Sequence, residues 1–118
     1  MEREGKLLRE KGAHVVILVS HMGNDCSSDN TYGWWYESSI QVNTCSKTDE
    51  MSKLLASLPT GTLDAVVQGH RHVFSHHFIN EVPVMGVVNG GYYFNVLYLH
   101  FFDKKLVDAV IEGPVPVC

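Results

Sequence analysis

No stretch of this sequence approaches the ~20 consecutive apolar residues that a membrane-spanning helix needs. The most apolar runs, over 15–19 and 92–102, are short or interrupted by polar residues, so no membrane span is expected. Positive charge is also scarce. Nine Lys and Arg stand against thirteen Asp and Glu, a formal charge of -4, so the chain has no basic field to draw a polyanion by counterion release. Nucleic acid is therefore not an expected partner. Cysteine is sparse as well: Cys26, Cys45 and Cys118 are too few and too widely spaced for a zinc knuckle or a dense disulfide scaffold. A Cys26–Cys45 bridge fits an oxidising compartment and a pair of thiols a reducing one, and the sequence does not choose between secretion and cytoplasm. Residues 1–6 are charged and lack the apolar segment of a signal peptide.

What is present suffices for a core: 45% of the 118 residues are hydrophobic, and the length suits about one domain. Residues 2–11 alternate acidic and basic side chains, with Leu7 and Leu8 on one side, and predict an amphipathic helix that Gly12 ends. The apolar, β-branched run over 14–20 predicts a buried, parallel strand. Residues 22–44 are rich in Gly, Asn, Asp and Ser around Trp34, Trp35 and Tyr36 and read as a long loop. The stretch Ser46-Lys47-Thr48-Asp49 resembles a capping box opening a helix with Met51, Leu54, Leu55 and Leu58 as its apolar stripe. Pro59 and Gly61 stop it. A second buried strand covers 63–68, and four strand-like runs follow over 74–79, 82–88, 93–102 and 106–111, separated by turn residues. The order predicts an α/β start with an antiparallel end.

Two histidine motifs stand at the C-terminal ends of the two predicted buried strands: Ser20-His21-Met22-Gly23 and Gly69-His70-Arg71-His72. In an open α/β sheet that edge is where ligands bind. Residues two apart in an extended segment project to one side, so His70 and His72 are expected to face a common site with Arg71 pointing away. Gly69 is read as allowing close backbone approach. His21, His70 and His72 are therefore candidate metal ligands expected to converge, imidazole being a common ligand; taken singly, each also fits a hydrogen-bonded structural role. His76 and His77 alternate along a strand and are weak ligand candidates. His100 fits a core or edge position, Trp34 and Trp35 a packed aromatic cluster, and Gly90-Gly91 a hairpin turn or a close approach to substrate. Cys26 and Cys45 bracket the long loop and are expected within the ~7 Å Cα separation a disulfide allows.

The run from Gly12 to Gly23, the following helix, Leu63-Asp64-Ala65-Val66-Val67-Gln68-Gly69-His70-Arg71-His72, then Val82-Pro83-Val84-Met85-Gly86 and Asn89-Gly90-Gly91-Tyr92 resemble the second half of calcineurin-like metallophosphoesterases of the 5′-nucleotidase type. The resemblance implies that 1–118 is a C-terminal portion of that domain. It implies an α/β fold, a fragment of the four-layer αββα sandwich with a mixed sheet and two helices. By the same resemblance His21 and His70 hold one divalent ion, of zinc, manganese or iron, and His72 another, in a dinuclear centre that hydrolyses a phosphate ester or nucleotide. The family's Asp-x-His, bridging Gly-Asp and Gly-Asn-His motifs do not occur here, and Asp25 is no substitute. The chain is accordingly expected to carry part of the metal site, no catalytic residue of its own and little activity alone, and to need association with the missing N-terminal half. The alternative is a non-catalytic binding module, or a truncated product, that retains the fold; a metal titration separates these, because a binding module needs no metal.

Overall fold

The computed structural model describes residues 1–27 and 45–117. Most of the expected loop, with Trp34 and Trp35, lies outside the described residues, as does Cys118. The elements are α1 (Glu2–Glu10), β1 (Ile17–Ser20), α2 (Glu50–Ser57), β2 (Ala65–Gln68), β3 (Ser75–Ile79), β4 (Val82–Gly86), β5 (Tyr93–Phe102) and β6 (Lys105–Pro116). A four-stranded mixed sheet runs β1-β2-β4-β3, and β5 and β6 form a separate two-stranded sheet. The fold is α/β with two helices, as expected.

Strand alternation divides the core between the two faces of the sheet. On one face Val16, Val66, Ile79 and Val84 pack against Met51 and Leu55 of α2. On the other, Phe78 and Met85 meet Leu97, Leu99, Ala109 and Ile111 of the β5–β6 hairpin. Both hairpins close through two residues of positive φ, Asn80 and Glu81 (50° and 67°) and Asp103 and Lys104 (49° and 64°). That is the backbone of the type I′ turn, whose twist matches the strands it joins.

Five expectations need correction. The first strand is parallel to β2 but is not buried on both sides. It is an edge strand, and the hairpin covers the second face only at β3 and β4, so Ile17 and Val19 are 45% and 76% exposed. Leu7 and Leu8 of α1 are likewise exposed. That helix is tied down by charge instead: Arg9 pairs with the buried Asp64 at 2.7 Å, and Asp64 also accepts a hydrogen bond from Val16 N at 2.8 Å. The N-cap of α2 is Asp49, whose carboxylate accepts from Ser52 N at 2.7 Å, whereas the Ser46 hydroxyl turns back onto Thr48 N. Gly90 and Gly91 have positive φ but link the two sheets rather than closing a hairpin. β6 also runs beyond the expected 106–111, pairing along β5 from Phe102↔Lys105 to Tyr93↔Pro116.

Candidate metal centre

The parallel register of β1 and β2 puts Ser20 beside Gln68, and Gly69 N donates to Ser20 O at 3.0 Å, so the two chains leave the sheet side by side. The next residue of β1 is His21, and the one after Gly69 is His70. Their rings meet edge to face with centroids 4.9 Å apart, and His70 Nδ1 lies 3.1 Å from His21 Nε2. Both side chains are exposed. Two nitrogens at this spacing can share one proton. They can equally bind one cation, since two imidazoles at ~2.0–2.1 Å on a tetrahedral ion stand ~3.3 Å apart.

His72 is placed differently from the extended-strand expectation. His70 and His72 both adopt positive φ, 84° and 54°, so the segment bends and strand alternation does not govern where its side chains go. His72 is exposed, and its ring nitrogens do not join those of His21 and His70 in a set mutually within 4.8 Å. Arg71 does not point away either. Its side chain lies over Gly23, where an added Cβ would collide with Arg71 Cγ, and its guanidinium reaches Asn24 O and Asp25 Oδ1, each at 3.3 Å. Arg71 thus straps the loop after β2 onto the loop after β1. The close approach read for Gly69 falls instead at Gly23: a Cβ at Gly69 would meet only His21 Nδ1, at an ordinary 3.7 Å.

Beneath these loops lies a buried polar set. Gln68 Nε2 donates to Asn24 Oδ1, and Asn24 Nδ2 is directed at both Cys26 Sγ and Cys45 Sγ, at 2.9 and 3.0 Å. Cys26 and Cys45 form a disulfide with Cα atoms 3.7 Å apart, inside the expected limit. His77, 2% exposed, completes a group with the two cysteines in which one potential ligand atom from each lies within 4.8 Å of the others. It is the one such three-residue group among the described residues. Sequence reasoning brought Cys26 and Cys45 together but set His77 aside. The available signal was alternation: His77 pairs with Val84 and so faces α2 and Cys45, opposite to His76.

Asp64 and Asp25 have structural roles. Asp64 opens β2 at the end of the strand remote from His70, and Asp25 is exposed and paired with Arg71. Comparison with protein families, with curated proteins and with solved structures finds no match.

Proposed function

We propose that this chain forms the C-terminal wall of a metal-dependent phosphoester hydrolase of the 5′-nucleotidase type. The observation that carries the reading is the 3.1 Å approach of His70 Nδ1 to His21 Nε2 at the C-terminal ends of neighbouring parallel strands. His21 and His70 would hold one zinc, manganese or iron ion, and His72, set apart from the pair, would serve a second. When bound, such ions supply an activated water and neutralise charge on the transferring phosphoryl group. The protein's part is to fix the two imidazoles through the strand register and the Arg71 strap, with the remaining ligands on a second polypeptide segment. The uncovered face of β1 at Ile17 and Val19 supports the need for such a segment, because apolar side chains on adjacent same-face positions gain about 25 cal/mol for each Å² removed from water.

The test is hydrolysis of a chromogenic phosphomonoester and phosphodiester with zinc or manganese added separately. The purified chain is expected to turn over no faster than its His21→Ala, His70→Ala variant. Addition of a polypeptide carrying Asp-x-His, Gly-Asp and Gly-Asn-His motifs is expected to give turnover that the double variant lacks. Histidine-independent turnover by the assembled pair, or none with a partner shown to bind, overturns the proposal.

A further inference from the structure

The Cys26–Cys45–His77 group, with Cys26 and His77 buried and Cys45 half-buried, is separate from the His21–His70 pair and is unused by the proposed hydrolysis. Its two sulfurs are covalently joined, and a disulfide sulfur is a poor ligand, whereas a thiolate is a strong one. Three features prepare the group for the reduced form. One ligand atom from each residue already lies within 4.8 Å of the others. Tetrahedral coordination requires sulfurs ~3.8 Å apart and a nitrogen ~3.6 Å from each, which side-chain rotation can reach once the S–S bond opens. The Asn24 amide, 1% exposed and oriented by Gln68, already donates towards both sulfurs, the outer contact that stabilises a metal-bound thiolate. Finally, among the described residues Gln68 Oε1 is buried without a hydrogen-bond partner, so this polar set keeps an unsatisfied acceptor.

We propose that reduction of the Cys26–Cys45 disulfide creates a zinc site formed by the two thiolates and His77. Access for a reductant is through Cys45, which lines a surface cavity of about 330 Å³ together with Lys47; the ammonium favours approach of an anionic thiolate. A dithiol attacks Cys45 Sγ, the S–S bond breaks, and Cys26 leaves as a thiolate facing the Asn24 amide. The second thiol of the reductant then displaces Cys45, giving a cyclic disulfide and two protein thiols. Zinc binding releases the two thiol protons and takes a lone pair from a His77 ring nitrogen, leaving the fourth position to water. Thiolate and imidazole together select zinc over harder cations.

Cobalt(II) is the probe, added to the oxidised chain and to the reduced chain after anaerobic removal of the dithiol. The expected result is tetrahedral ligand-field bands with thiolate-to-cobalt charge transfer in the reduced chain alone, displaced by zinc. His77→Gln and Asn24→Ala are each expected to weaken binding by roughly tenfold or more, and Cys26→Ser, Cys45→Ser to remove the charge-transfer band. The His21→Ala, His70→Ala variant keeps that band, which separates this site from the histidine pair. Amide spectra of every sample establish folding. Equal cobalt spectra before and after reduction, His77→Gln affinity equal to that of the unaltered chain, or a reduced chain that unfolds and is not refolded by cobalt or zinc each overturns the proposal.

Discussion

At the scale of single residues, Arg71 illustrates how one side chain organises a site without entering its chemistry. The exposed Arg71–Asp25 pair is worth little as an ion pair, because both side chains remain in contact with water, 40% and 72% exposed. Its packing over Gly23 matters more, since that contact holds the two histidine-bearing loops together and leaves no room for a Cβ. Gly23→Ala is expected to lower stability by about 1–3 kcal/mol through overpacking. In an Arg71→Ala background most of that cost should vanish, because the colliding atoms are gone. A urea-denaturation double-mutant cycle measures this, and additive effects would show that the strap is not what excludes the methyl group.

Among the elements, α2 carries the larger core while having only eight residues, too short to be stable without packing and caps. Met51 and Leu55 supply the packing. Asp49 supplies the cap, and the same carboxylate accepts from Asp25 N at 2.9 Å, joining the helix start to the loop that follows His21. Asp49→Ala is therefore expected to cost about 1–2 kcal/mol, and Ser46→Ala less than ~0.5 kcal/mol, as for an exposed surface change. Chemical denaturation of the two variants decides between Asp49 and Ser46 as the cap. A larger loss for Ser46→Ala would restore the capping-box reading.

For the whole molecule, the disulfide closes a loop between residues separated by 19 positions and joins the approach to α2 with the strand edge that carries His21. By loop-closure entropy its reduction is expected to lower unfolding stability by about 3 kcal/mol, read as a fall in the urea midpoint under an anaerobic reductant. Zinc added to the reduced chain should recover part of that loss, since a ligand that binds only the folded state stabilises it by mass action. An unchanged midpoint on reduction would show that closing this loop does not constrain the unfolded chain as the entropy argument requires.

The sequence by itself determined the elements that repeat a local rule. The β-branched runs ending at Ser20 and Gln68, the apolar stripe of Met51, Leu54, Leu55 and Leu58, and the turn residues Asn80-Glu81 and Asp103-Lys104 each act within a few positions of themselves, so periodicity and turn chemistry suffice to find them. The placing of His21 and His70 at one sheet edge was legible for the same reason, since each ends a strand of the same kind. Only the tertiary structure decided which faces those strands bury, because exposure of Ile17 and Val19 depends on how far a distant hairpin reaches across the sheet. It also decided the positive φ of His70 and His72 that ends strand alternation there, the crossing of Arg71 over Gly23, and the meeting of His77 with Cys26 and Cys45. Each of these depends on contacts between segments far apart in the chain, where a shift of one residue in strand register turns a side chain to the opposite face.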